Sequence, residues 1–193
     1  PYDDGVNQRE IIDIFRQTGA LLEGHFILRS GRHSRQFFQC AAALEQMRVV
    51  EKLGQALSKT IKDKSIETVV APAMGGLVIG QEVARQLGLR FVFLEKVDGA
   101  LSLRRGFKFK QKEKVLVVED VITQGGRADE TISIIKQNGG QVMAVAVLVN
   151  RSNGLYDPGV PVHSLLELQV ETFDPDDVPA DLKEITAVKP GSN

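Results

Sequence analysis

Two adjacent acids, Glu119 and Asp120, follow the apolar run Val115-Leu116-Val117-Val118 and precede Val121-Ile122-Thr123-Gln124-Gly125-Gly126-Arg127. Carboxylates cannot serve a phosphate directly; they suit sugar hydroxyls or a hydrated cation. The Thr/Gly loop suits a phosphate. It offers a hydroxyl, unblocked backbone N–H groups and the start of a helix. Acids above such a cradle point to a phosphorylated sugar. A second glycine loop, Pro72-Ala73-Met74-Gly75-Gly76, follows another short apolar run. Positive charge is dense between Glu95 and Glu113, at Lys96, Arg104, Arg105, Lys108, Lys110 and Lys112. A further cation, Arg151, closes a third apolar run, Gln141 to Val149.

These groups need a scaffold that ends several strands at one edge. The β-branched run before Glu119 reads as a buried strand, and Ile132 and Ile135 mark a helix from Ala128 onward. Thr68 to Ala71 reads as a strand and Leu77 to Leu87 as a helix capped by Gly88. Phe91 to Leu94, Gln141 to Val149 and Val162 to Leu168 read as further strands. Leu44 to Lys62 is helical, with Val49, Val50, Leu53, Leu57 and Ile61 as its apolar stripe. Strands alternating with helices predict an α/β fold with a mostly parallel central sheet flanked by helices. In such sheets ligands bind beyond the carboxyl ends of the strands.

Three segments flank this pattern. Asn7 and Glu10 have the spacing of a helix start, and Ile11, Ile14, Phe15 and Thr18 share a face that Gly19 ends. Leu21 to Leu28 and Gln36 to Gln39 read as extended, with a turn at Ser30-Gly31-Arg32. Residues 1–43 are thus expected to form a small N-terminal α+β hood, residues 44–170 the core, and residues 171–193 a turn-rich tail with a short helix. Glu95 to Glu113 lacks clear apolar periodicity and reads as a long mobile loop, with or without a hairpin.

Composition narrows the classes. A chain of 193 residues, 42% hydrophobic, can bury one sizeable core. A net charge of −1 gives no global attraction to nucleic acid or to a membrane. Cys40 is the single cysteine, which excludes an intramolecular disulfide framework and suits a reducing compartment. Three His and one Cys, scattered, argue against a zinc cluster. No apolar run is long enough for a transmembrane helix, and Pro1 to Gly5 lacks a signal-peptide pattern, so a cytoplasmic location is expected.

Val117-Val118-Glu119-Asp120-Val121-Ile122-Thr123-Gln124-Gly125-Gly126 resembles the phosphoribosyl-pyrophosphate (PRPP) motif of type I phosphoribosyltransferases. Gly24 to Cys40, with Arg29-Ser30-Gly31-Arg32 and Phe37-Phe38, is similar to the N-terminal segment of orotate phosphoribosyltransferases. Leu148-Val149-Asn150-Arg151 is similar to the strand end that carries that family's orotate-binding arginine. The resemblance runs from about Gly19 to Arg151, with the motifs in family order.

It implies the type I phosphoribosyltransferase fold. It also implies Mg²⁺-dependent transfer of phosphoribose from PRPP to N1 of orotate, giving orotidine 5′-phosphate and pyrophosphate in pyrimidine nucleotide synthesis. Glu119 and Asp120 would bind the ribose hydroxyls. Val121, Ile122 and Thr123 to Arg127 would hold the PRPP 5′-phosphate end, and Gly75 and Gly76 the pyrophosphate side. Lys96 matches a PRPP-binding lysine, and Arg104 or Arg105 would neutralise the leaving pyrophosphate by charge alone. Thr123, Arg151, Arg29, Phe37 and Phe38 would form the orotate pocket. Mg²⁺ would be held mainly through PRPP, with no protein metal site. A homodimer is implied, with no nucleic acid or membrane partner. Gln124, Arg127, Met74-Gly75 and Glu95 depart from common family residues. The alternatives are another type I phosphoribosyltransferase or a PRPP-sensing regulator that binds nucleic acid.

Overall fold

The strand that carries the two acids lies in the interior of a six-stranded sheet, with parallel neighbours on both sides. A computed structural model describes residues 8–28 and 30–190. Asn7, expected to start the first helix, and Arg29, expected in the orotate pocket, lie outside the described residues.

In chain order, helix α1 (Gln8–Gln17) buries Ile11 and Phe15, two positions of the expected stripe. Gly19, at φ 72°, turns the chain away from it. Strands β1 (Leu21–Ile27) and β2 (His33–Phe38) pair antiparallel. A short helix α2 (Ala41–Leu44) and α3 (Met47–Thr60) occupy the stretch expected to hold one helix. Gln46 takes an extended conformation and breaks them apart, its carbonyl accepting the N–H groups of Val49 and Val50. Then come β3 (Thr68–Pro72), α4 (Gly75–Leu87) and β4 (Arg90–Val97). Gly88, at φ 67°, caps α4 in the left-handed conformation that suits glycine.

The cationic segment holds a hairpin. β4 runs on to Val97, turns at Asp98-Gly99, and pairs antiparallel with β5 (Ala100–Ser102). Beyond β5, Phe107 packs edge-on against Phe93, with ring centroids 5.5 Å apart. The chain then enters β6 (Lys114–Ile122), α5 (Gly126–Gln137), β7 (Gln141–Asn150) and β8 (Val162–Glu167). A two-residue strand β9 (Thr172–Phe173), a 3-10 turn and α6 (Ala180–Lys183) follow.

The sheet order is β5-β4-β3-β6-β7-β8, parallel except for β5. Both faces of β6 are buried, which explains its unbroken apolar run. Leu116 and Val118 pack with Leu53, Leu57, Ile79 and Val83 of α3 and α4. Val115 and Val117 pack with Ile132 and Ile135 of α5. Each such fully buried side chain contributes about 1.5–3 kcal/mol relative to exposure. β6 continues through both acids because it still pairs with β7 there, up to Ile122 opposite Asn150.

β1, β2 and β9 form a separate three-stranded sheet. The tail therefore completes the sheet begun by the N-terminal strands. Ser34 pairs with Thr172, the Val188 N–H donates to the His25 carbonyl, and Arg32 donates to the Thr172 carbonyl and hydroxyl. His25 and His33 are structural here. The Ile185 carbonyl can only accept, so His25 Nδ1 carries the proton in that 2.9 Å contact. The other His25 ring nitrogen, Nε2, shares a 2.6 Å hydrogen bond with His33 Nδ1.

Candidate active site

The carboxyl ends of β3, β4, β6 and β7 lie along one edge of the parallel sheet, and the helices α4 and α5 start just beyond β3 and β6. Two helix N-termini thus meet at the strand carrying the acids. Each brings unpaired N–H groups and a partial positive charge.

The acids differ sharply. Asp120 is half-buried, and its Oδ1 accepts the Val121 N–H at 2.8 Å. Glu119 is only 2% exposed. Its Oε1 accepts the Asp120 N–H at 3.2 Å, while Oε2 is buried with no hydrogen-bond partner. Burial, reinforced by the charge of Asp120, pushes the Glu119 carboxyl up to about 9. In this conformation Glu119 is buried, and Asp120 is the more accessible of the two acids.

The second glycine loop abuts this pair. A Cβ on Gly75 would stand 2.7 Å from Asp120 Oδ1, and one on Gly76 would stand 2.8 Å from the Val118 carbonyl and 3.1 Å from Glu119 Oε1. Glycine lets the start of α4 close onto the acids. The two glycine loops, distant in sequence, therefore belong to one site.

The first glycine loop opens α5. Gly125 takes φ 83° as the residue before the helix. Thr123, Gln124, Gly126 and Arg127 are exposed around it. Val121 is half-buried. The Ile122 side chain is core, so only its backbone faces the site; its carbonyl accepts the Arg151 N–H at 2.7 Å. That bond sets Arg151 beside the start of the first glycine loop.

Arg151 and Thr123 line one cavity of about 370 Å³, with Gln124, Ser152, Asn153, Leu155 and Tyr156. Arg151 Nε and Ser152 Oγ are buried without partners, and burial lowers the Arg151 guanidinium from its usual value. A planar anion reaching them would relieve the cost of unmet donors. Sequence reading missed Ser152 and Tyr156. Both lie in a Gly/Pro-containing connection with no local pattern, and only the fold returns it to the site.

Other expected residues do not line that cavity. Phe38 is a core side chain, 8% exposed and edge-on to Phe15 at 4.9 Å. Its ring packs in the core, and Phe37, the adjacent side chain on the strand, faces the opposite way. Phe37 is half-buried and tilts against Phe26 at 5.8 Å. Lys96 and Arg104 are exposed, on β4 and just past β5. Arg105 is held by Glu95 through bonds of 2.9 and 2.6 Å. A larger cavity, about 530 Å³, opens between the three-stranded sheet and the tail, and none of the expected site residues lines it.

Residues 41–179 match the phosphoribosyl transferase domain family. The orotate phosphoribosyltransferase of Desulforamulus reducens is 50% identical over 187 residues, covering 97% of this chain and 98% of that protein. The chain belongs to the orotate phosphoribosyltransferase family. The Thermotoga maritima member is 47% identical over 182 residues, covering 94% of this chain and 97% of that protein. Among solved structures, the orotate phosphoribosyltransferase of Mycobacterium tuberculosis H37Rv in complex with inorganic phosphate superimposes with a TM-score of 0.70 at 21% identity. That match covers 85% of this chain and 97% of the other. The Aeropyrum pernix enzyme gives 0.67 at 24% identity, covering 82% and 93%. At those identities the structures attest the shared fold. Family membership rests on the sequence relatives.

Proposed function

We propose that this protein transfers phosphoribose from PRPP to orotate, giving orotidine 5′-phosphate and pyrophosphate in pyrimidine nucleotide synthesis. The observation that carries the reading is the junction of Ile122 with Arg151. It joins a phosphate loop to an arginine-lined cavity across neighbouring strands.

In this reading the 5′-phosphate sits on the N–H groups of Thr123 to Arg127 at the positive end of α5. Asp120 accepts from the ribose hydroxyls. The pyrophosphate faces Gly75, Gly76 and the start of α4. Arg151 and Thr123 take the orotate carboxylate and its neighbouring carbonyl, and Phe37 supplies an apolar wall. The bond from ribose C1 to the pyrophosphate oxygen breaks, and pyrophosphate leaves with the electron pair. The N1 lone pair of orotate forms the new bond to C1, and the proton that N1 carried passes to the departing pyrophosphate or to water. The Asp120 carboxylate favours the positive charge that grows on the ribose between these events. Lys96 and Arg104 neutralise the departing group and help to exclude water.

Magnesium fits as an ion that arrives on PRPP. The described residues contain no group of three or more His, Cys, Asp or Glu that could hold one. The diphosphate oxygens supply the ligands that this hard cation prefers. When bound it neutralises charge on the leaving pyrophosphate. The working unit is proposed to be a cytoplasmic homodimer, in which the segment around Arg104 of one subunit reaches the other's site. Among the described residues no helix is long and apolar enough to cross a membrane.

The deciding experiment follows orotate absorbance with PRPP and Mg²⁺. Loss of absorbance that requires PRPP is expected. Folded protein that consumes no orotate while using another base would transfer the reading to a different phosphoribosyltransferase.

A further inference from the structure

We infer that Tyr156 is a positioning residue for the phosphate loop: it braces Gly125 and engages the Asp129 carboxylate, which otherwise competes with the anion that the loop receives. The inference rests on the phosphoribosyl reading above and adds a residue that the reading does not require.

Tyr156 lies on the connection from β7 to β8. That connection doubles back through Asn153 and Gly154, at φ 54° and 75°, and the Leu155 N–H donates to the Ser152 carbonyl at 3.0 Å. The turn returns Tyr156 to the junction of β6 and α5. There its ring lies against the Gly125 α-carbon. A Cβ on Gly125 would stand 2.0 and 2.1 Å from ring carbons Cε2 and Cδ2. Gly125 is therefore fixed twice, by its left-handed backbone and by the ring on its open face.

The phenol does a second task. Its O–H donates to Asp129 Oδ1 at 3.0 Å. Asp129 sits in the first turn of α5, where its own N–H donates to the Gly125 carbonyl at 2.9 Å. A carboxylate there is attracted to the same helix end that must receive a phosphate. Left free, it would compete for that end and repel the incoming dianion. The bond to Tyr156 ties down one oxygen of the carboxylate. Burial, then the hydrogen bond to Asp129, raises the phenol above its usual value. Tyr156 also lines the cavity that Arg151 and Thr123 share. One short connection thus supplies Arg151 to the base side and Tyr156 to the phosphate side.

The test is a cycle of Tyr156→Phe, Asp129→Asn and the pair, read by calorimetric binding of ribose 5-phosphate and by steady-state kinetics. Tyr156→Phe keeps the ring and removes the hydroxyl. It should weaken ribose 5-phosphate and raise the KM for PRPP about fivefold, the scale of one lost hydrogen bond. The kcat should change by less than about twofold. With Asp129→Asn in place, the same hydroxyl removal should have almost no effect on binding. A fivefold loss that persists in the Asp129→Asn background would overturn the inference. So would a fall in melting temperature with unchanged ribose 5-phosphate binding. Calorimetry needs no turnover, so failure of the orotate reaction and failure of this assignment are read separately.

Discussion

Arg151 and Asp120 divide the proposed chemistry, and each can be removed by a small change. Arg151→Ala should raise the orotate KM by about 10- to 100-fold, the scale of a lost charge-assisted bond, with less effect on PRPP. Asp120→Asn keeps the shape but not the charge, so kcat should fall by about 100-fold while the fold persists. Full activity in either variant, measured by orotate consumption, would remove that residue from the site. Glu119 makes a different prediction. Its folded value of about 9 lies above its ordinary value of 4.5. The folded state then binds a proton that the unfolded state has released, so its stabilising contribution is full below pH 4.5 and lost as pH rises through about 9. Glu119→Gln should flatten the fall of melting temperature across that window and be the more stable form at its alkaline end. Parallel melting profiles for the two proteins would show that Glu119 does not carry this slope. Both acids and Arg151 stand out in sequence because each ends an apolar run. Their inequality does not, because the burial of Glu119 depends on a helix that starts at Gly75, far away along the chain.

At the scale of elements, the site depends on how closely α4 approaches β6. Gly75→Ala would put a methyl carbon 2.7 Å from Asp120 Oδ1, closer than real contacts allow. Either the acid or the start of α4 must move. An ångström of displacement in a reacting geometry costs on the order of 10- to 100-fold, and kcat/KM for PRPP should fall by that much. Circular dichroism should remain that of the parent. Parental kinetics in the Gly75→Ala protein would mean that the loop and the acid are not a fixed unit. The order of strands and helices in the core was legible from the alternation of apolar runs with helical stripes. The hairpin of β4 and β5 was only one of two open readings, because a three-residue strand carries too little pattern. The Phe37-Phe38 pair shows a similar limit. Strand alternation says that one side chain faces the core, but the packing partner Phe15 decides which one.

At the scale of the whole molecule, the expected division into hood, core and tail meets a sheet that joins both ends of the chain. β9 is two residues long and gave no sequence signal, yet it pairs with β2 across residues 33 and 173. Removing the residues after Leu168 should therefore loosen β1 and β2 more than β6. It should raise the orotate KM more than it weakens ribose 5-phosphate. A truncated chain with the parental orotate KM would show that the tail does not support the base side. Arg32 with Asp174 and Thr172, and His25 with Ile185, reinforce the same seam.

That seam has a consequence for how the protein is made. Contacts within the parallel sheet span moderate distances along the chain and are all available once β8 has emerged. The three-stranded sheet instead waits for Thr172 and the Val188 contact with Ile27. Pairings of such long sequence separation form late, since their loop closure must first be met. During synthesis the half proposed to hold the sugar phosphate should take shape first, with the proposed base side still open behind it. Pulsed hydrogen exchange on refolding should then protect the amides of β6 before those of β2. The reverse order would mean that the N-terminal hairpin nucleates without its distant partner.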